Sequence, residues 1–179
     1  MARVRIGRSG LIGAMAGLLV VFAVAVFVGV SFSSSSKVAT AMDGTVEPAW
    51  SGTSIDGARL SSGLLRGRYV VLNFFATWCE GCRQETPALA AFVAAHPGGD
   101  VQVVSVLHAD SEADARRFAA AHSLTWPIVS GGADSVARAF RLAGGLPQTD
   151  VIGPDGRIVT QLAGAVTEAQ LERIVRAHR

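Results

Sequence analysis

The sequence predicts an α/β fold, a mixed central sheet with helices on both faces, preceded by an N-terminal transmembrane helix. Three observations predict it. From about residue 46 onward, strand-like and helix-like runs alternate and end in a hairpin and a helix. A continuous apolar run rich in β-formers, Tyr69–Ala76, passes directly into a helical pattern. One stretch, Leu11–Val30, carries no charged residue at all. At 179 residues the chain is one ordinary domain with an extension rather than two full domains. Half of it is hydrophobic and 17% is charged, which excludes wholesale disorder.

The N-terminal run LIGAMAGLLVVFAVAVFVGV accounts for most of the mean hydropathy of +0.38. At about 1.5 Å per residue its length matches the roughly 30 Å hydrocarbon core of a bilayer. Arg3, Arg5 and Arg8 precede it. The positive-inside rule therefore places residues 1–10 in the cytoplasm, an anchor at 11–30 and the remainder outside. A cleaved signal peptide is the competing reading, because Ala39-Thr40-Ala41 offers an A-x-A site and secretion would follow. The apolar run exceeds the roughly 7–15 residues of a signal h-region, which favours the anchor. Residues 31–45, rich in Ser, Ala and Thr, read as a flexible tether, and 46–179 as the globular domain. Four of the 16 basic residues and none of the 14 acidic ones lie in 1–41, so the remainder is net −2. That leaves no basic footprint for nucleic acid.

Each element of the domain has a local reason. Tyr69–Ala76 suits a strand buried on both faces. The helical pattern from Cys79 to Ala95 ends at His96-Pro97-Gly98-Gly99. Val101–Leu107 is the second strand. Ser111–His122 is a helix with Ser111 as N-cap, Asp114 at the capping-box position, and Phe118 and Ala119 facing inward. Trp126–Val129 is a short strand and Ser135–Leu142 a short helix. Thr149–Ile152 and Arg157–Leu162 pair across Gly153-Pro154-Asp155-Gly156. Thr167 caps a last helix to His178, with Leu171, Ile174 and Val175 as its apolar stripe.

The chemistry lies in Trp78-Cys79-Glu80-Gly81-Cys82-Arg83, placed where the buried strand meets the helix. There Cys79 stands at the helix N-terminus and Cys82 one turn inside, on the same side and within bridging reach. Orphan backbone N–H groups and the helix dipole favour a thiolate at Cys79. Cys82, further inside, is the shielded resolving thiol, and Trp78 covers one side of the pair. The expected reaction is attack by Cys79 on a partner disulfide, followed by release through a Cys79–Cys82 bridge. Three other readings compete. A zinc site lacks two ligands, since His96, His108, His122 and His178 are scattered without H-x₃₋₅-H spacing. Haem attachment lacks its histidine, because position 83 is Arg. A static disulfide would close too small a loop to be a useful staple. No cofactor or metal is expected.

These residues resemble the thioredoxin fold, and 46–179 is similar to the membrane-anchored TlpA/ResA/CcmG group of thiol–disulfide oxidoreductases. The matching stretches are Gly67 to Cys79, Cys82-Arg83-Gln84-Glu85-Thr86-Pro87, Gly145-Leu146-Pro147-Gln148-Thr149 and Gly156-Arg157-Ile158-Val159. The resemblance implies reduction or shuttling of disulfides outside the cytoplasm. Its clients would be protein thiols and disulfides, such as apocytochrome c or its maturation factors, with a membrane-embedded electron donor. It further implies that Pro147 is a cis-proline facing the cysteines, with the Leu146 backbone open to a client strand. Glu85 stands where the group carries an acid near the resolving thiol, and Asn73 where thioredoxins hold a buried acid. Pro87 is expected to kink the active-site helix.

The departures also carry expectations. Gly81 replaces the proline of many reducing members and is expected to loosen the turn. Glu80 puts a negative charge beside Cys79 and should oppose its thiolate. Asp150 replaces an aromatic or aliphatic strand residue, and both an exposed edge position and a paired one stay open. Gly153 replaces the usual acid after that strand. Elsewhere His108-Ala109-Asp110 reads as a polar loop start, Trp126-Pro127 as a core pair and Arg116-Arg117 as a solvated helix face. A disulfide oxidase, a single-cysteine peroxide reductase and a tethered peptide-binding module are the alternative functions.

Overall fold

Tyr69–Phe75 is buried along its whole length and becomes an inner strand of an eight-stranded sheet. The computed structural model describes residues 37–39, 42–142 and 145–179. The segment 1–10 read as cytoplasmic, the run 11–30 read as an anchor, and residues 31–36 and 40–41 of the stretch read as a tether lie outside these residues. In chain order the elements are β1 (Lys37–Ala39), β2 (Ser51–Ser54), β3 (Arg59–Ser61), a 3₁₀ turn (Ser62–Leu65), β4 (Tyr69–Phe75), α1 (Glu80–Ala95), β5 (Val101–Leu107), α2 (Glu112–Ala121), β6 (Ile128–Gly131), α3 (Ala133–Ala139), β7 (Gln148–Ile152), β8 (Ile158–Ala163) and α4 (Glu168–Ala177).

The strand order is β1-β8-β7-β4-β5-β6-β2-β3. β4, β5 and β6 run parallel, with Tyr69 opposite Val101 and Phe75 opposite Leu107. β7 and β8 return antiparallel on the other side of β4, so the sheet is mixed as predicted. Alternate residues of β4 feed different layers. Val70, Leu72 and Phe74 pack with Trp50, Leu65, Val136 of α3 and Phe140. Val71 packs with Leu89 and Phe92 of α1 and Leu171 and Val175 of α4. Phe75 joins Ala115 and Phe118 of α2 in a third cluster that includes both cysteines. Helices thus cover both faces, which is why β4 reads as a continuous apolar run.

Several boundaries differ from the sequence reading. β6 begins at Ile128, because Pro127 has no N–H for the ladder; its carbonyl accepts from Ser105 N, and the Trp126 indole donates to Ser105 Oγ at 2.9 Å. α3 starts at Ala133, two residues earlier than predicted, behind Gly132 at φ 82. A Cβ at Gly132 would stand 3.1 Å from the Ser51 carbonyl, so this helix start suits glycine on two counts. The sequence reading does not include the β2–β3 hairpin: its strands are short, Ser-Gly-Thr-Ser and Arg-Leu-Ser, with Asp56-Gly57 as the sole turn signal. Lys37–Ala39, inside the stretch read as a tether, is a strand paired with Gln161–Ala163. Met42–Glu47 is likewise tied down, with Gly44 N donating to Ile158 O and Glu47 N to Gly156 O.

Candidate active site

Residues 76–79 make the turn that converts β4 into α1. Cys79 N donates to Ala76 O at 3.2 Å, and Arg83 N closes the first helical turn on Cys79 O. Cys79 is the N-cap, with extended backbone, and its Sγ accepts from Cys82 N at 3.2 Å. An orphan amide of the helix therefore points at the sulfur, the arrangement that favours negative charge there. Cys79 and Cys82 are joined by a disulfide, with Cα atoms 5.3 Å apart. Cys79 is 6% exposed and Cys82 1%. Their packing against Phe75, Leu107, Ala115, Phe118 and Ile128 puts an apolar wall behind both sulfurs.

Four neighbours set the rim. Trp78 is 59% exposed, and its indole N–H donates to Ala109 O at 3.1 Å. Pro147 follows a cis peptide bond, as the family resemblance implied, and its carbonyl accepts from Gly164 N. The ring of Pro147 approaches the first turn of α1 so closely that a Cβ on Gly81 would lie 3.0 Å from its Cδ. Gly81 therefore leaves room for the proline ring against the first turn of α1. Glu80 does not stand as a bare charge beside Cys79. Arg83 is hydrogen-bonded to its carboxylate through Nε at 3.2 Å and through Nη2, and Gln84 donates to it at 3.1 Å. These bonds, Arg83's first, hold the Glu80 carboxyl below its usual range.

Behind the cysteines lies a buried network. Glu85, one turn after Cys82, is 2% exposed. Its Oε1 accepts from Asn73 Nδ2 at 2.7 Å and its Oε2 from Val166 N at 3.0 Å. Asn73 also donates to Thr149 Oγ1 at 3.1 Å, so β4, α1, β7 and the approach to α4 meet at one carboxylate. Burial away from water pushes the Glu85 carboxyl up to about 7, despite the two hydrogen bonds that oppose the rise. Thr86 Oγ1 donates to Cys82 O at 2.8 Å and fixes the helix beneath the resolving thiol.

The sequence reading gave least weight to the residues that hold the turn. Asp110 Oδ2 accepts from Thr77 N at 2.6 Å and Thr77 Oγ1 at 2.7 Å, while Oδ1 accepts from Ser111 N. With the bond from Trp78 to Ala109 O, the 109–110 loop clamps both residues before Cys79. The available signal was position: a polar loop at the carboxyl end of a parallel strand lines the site of an open sheet. His108, on the same loop, stands 4.0 Å from Asp134. Asp150 is not at an exposed edge. It is fully buried in β7, with Gln148 Nε2 3.3 Å from each carboxylate oxygen. Arg116 bonds Ile55 O and Glu112, so it ties α2 to the loop between β2 and β3.

Comparison with known proteins agrees with this geometry. The AhpC/TSA family matches residues 44–161. The thiol-disulfide oxidoreductase ResA of Geobacillus kaustophilus (strain HTA426) is 30% identical over 139 residues, 78% of this chain and 79% of that one. ResA of Bacillus subtilis (strain 168) is 30% identical over 116 residues, 65% of this chain; the match spans 64% of the relative's length. Among solved structures, a thiol:disulfide interchange protein of the thioredoxin family from Chlorobium tepidum TLS superposes with TM-score 0.69 at 26% identity, over 74% of this chain and 94% of that one. StoA from Bacillus subtilis superposes with TM-score 0.62 at 25% identity, over 73% and 98%. With a thioredoxin-like sheet, a capped Cys-x-x-Cys and a cis-proline against it, the chain belongs to the AhpC/TSA family and, within it, to the thiol–disulfide oxidoreductases of the ResA type.

Proposed function

We propose that the chain reduces disulfides of extracytoplasmic client proteins, apocytochrome c or its maturation factors among them, from an anchor at 11–30 and with electrons from a membrane-embedded donor. The observation that carries the chemistry is the Cys82 N–H aimed at Cys79 Sγ at a helix N-terminus, beneath Pro147. In the reduced form Cys79 is the nucleophile. Its thiolate attacks one sulfur of a client disulfide; a Cys79–client bond forms, the client S–S bond breaks, and the departing client sulfur takes up a proton. Cys82 then gives up its proton and attacks Cys79 Sγ. The Cys79–Cys82 bond forms, the mixed disulfide breaks, and the second client sulfur leaves as a thiol once protonated. The client gains two electrons and two protons, and the protein's dithiol becomes its disulfide.

Glu85 is the group proposed to take the Cys82 proton. A carboxyl poised near neutrality by burial fits a base one helical turn from the thiol. Asn73 keeps its oxygen oriented. Trp78 and the Leu146 backbone form the docking rim, where an extended client strand would lie beside Pro147. The direction of electron flow rests on the family resemblance.

Cys82→Ser tests the reading. It is expected to arrest clients as mixed disulfides on Cys79, and mass spectrometry of the captured adducts names them. If no adduct forms in the reduced variant, dithiol exchange is wrong; if Cys79→Ser keeps full function in cells, a tethered binding module is the better account. Equilibration against dithiothreitol fixes the direction. A potential of order −270 mV supports reduction, and one near about −120 mV supports the oxidase alternative.

A further inference from the structure

A second buried carboxylate stands on the opposite face of β7 from Glu85. Asp150 lies opposite Leu72 of β4 and Gln161 of β8, in the layer occupied by Phe74 and Phe140. Gln148 and Gln161 flank it. The Gln148 carboxamide donates to Asp150 and, at 3.4 Å, to Phe140 O; that of Gln161 donates to the same carbonyl at 3.2 Å and to Asp150. Two carboxamides thus join the Asp150 carboxyl to the chain at the end of α3. Gln148 directly follows Pro147, whose carbonyl is held by Gly164 N at the end of β8. The cluster therefore grips the chain just before and just after the segment that carries Leu146 and Pro147.

The charges around Asp150 are one-sided. β4 presents Leu72, β8 presents Gln161, and the end of α3 presents the Phe140 ring and carbonyl. From the segment before β2 comes a second carboxylate, Asp43, which accepts from Gln161 N at 2.9 Å. No cation pairs with Asp150 among the described residues. A lone carboxyl in that setting is held best when protonated, and its ionised form is drawn to water.

We propose that Asp150 is a positioning residue for client docking: protonated, it stays buried among Gln148, Gln161 and Phe140 and lets that packing keep Pro147 over the cysteines, and on ionisation its buried charge draws in water and opens the packing. Burial pushes its carboxyl up to about 7, and the Asp43 charge adds to the rise, so the change falls near neutral pH. The inference rests on reading Leu146–Pro147 as the docking strand. By linkage, an opening that hydrates Asp150 becomes easier as pH rises toward 7 and levels off above it.

The test uses the full chain in non-ionic detergent and Asp150→Asn, which mimics the protonated group. The first readout is hydrogen exchange at the Gly164 amide, whose acceptor is Pro147 O. Between pH 6 and pH 8 wild type is expected to lose about tenfold more protection than the variant, after division by the intrinsic rate; any share from Glu85, which holds the nearby Val166 N, is common to both proteins. The second is single turnover of the dithiothreitol-reduced protein with a peptide carrying a Cys-x-x-Cys disulfide. Across the same range the half-saturating peptide concentration of wild type should rise at least twofold relative to the variant, with the ratio of limiting rates constant. Level protection in wild type, or the same slope in both proteins, overturns the proposal. So does a protection change with no change in half-saturation. Failure of both proteins to turn over at any pH, with the protection slope intact, would instead overturn the exchange reading and the docking role with it.

Discussion

Glu85→Gln puts the buried network behind the cysteines to a quantitative test. Glu85 titrates at 4.5 in an open chain and at about 7 in the fold. Each unit is worth about 1.4 kcal/mol, so the difference amounts to about 3 kcal/mol of stability. The sign follows from proton binding. Between these pH values the folded protein keeps a proton that the unfolded chain has lost, so stability is full below about 4.5, falls as pH rises and has lost this share above about 7. Glutamine does not titrate, and the decline attributable to residue 85 disappears. Asp150 contributes a decline of the same sign, but it is present in both proteins and cancels. A separate loss applies at every pH. Glu85 accepts from both Asn73 and Val166, and one end of glutamine is a donor, so one of those N–H groups loses its partner at a cost of about 1–3 kcal/mol. The informative quantity is therefore the change in the difference between the two proteins. It should move by about 3 kcal/mol in the variant's favour from pH 4.5 to pH 8. Urea unfolding of the oxidised full chain in non-ionic detergent, followed by the fluorescence of buried Trp50 and Trp126, measures it. With a slope of about 2 kcal/mol per molar urea, the midpoints should shift by about 1.5 M relative to one another. A midpoint difference that stays constant across this range refutes the assignment of a buried, titrating carboxylate at this position.

The same substitution should slow resolution of the mixed disulfide by about a hundredfold or more while the first attack by Cys79 keeps its rate, as rapid-quench analysis of the two steps would show. Gly81→Ala should leave stability within about 1 kcal/mol, because helix propensity offsets the new contact, yet weaken client docking as its Cβ presses on Pro147 Cδ at 3.0 Å. An unchanged half-saturating peptide concentration in that variant would speak against Pro147 as a docking element. Asp110→Ala removes the acceptor for Thr77 N, Thr77 Oγ1 and Ser111 N and should cost about 2–4 kcal/mol. It should also release Trp78, read as a change in that indole's fluorescence in a variant that keeps Trp50 and Trp126 buried.

What could be read from the chain alone was set by local physics. A strand buried on both faces is apolar except where a polar group finds a partner, as Asn73 does, so Tyr69–Phe75 announced itself, and the cysteines at its exit announced the capped thiol. Ser111 and Thr167 cap their helices because the N-cap bond spans only three residues. The contacts that surround this turn join residues far apart in sequence. Thr77 meets Asp110 across 33 positions, Glu85 meets Val166 across 81, and Gly81 meets Pro147 only once β7 has paired with β4. The protonation preferences of Glu85 and Asp150 were equally hidden, since they come from the exclusion of water by other elements and not from neighbours in the chain. The short β2–β3 hairpin had no apolar alternation to reveal it, and its place beside β6 came from the sheet's need for an edge partner. Periodicity and capping therefore determined which residues react, whereas long-range packing decided what surrounds them, because burial and hydrogen bonding between distant segments exist only once the chain has closed on itself.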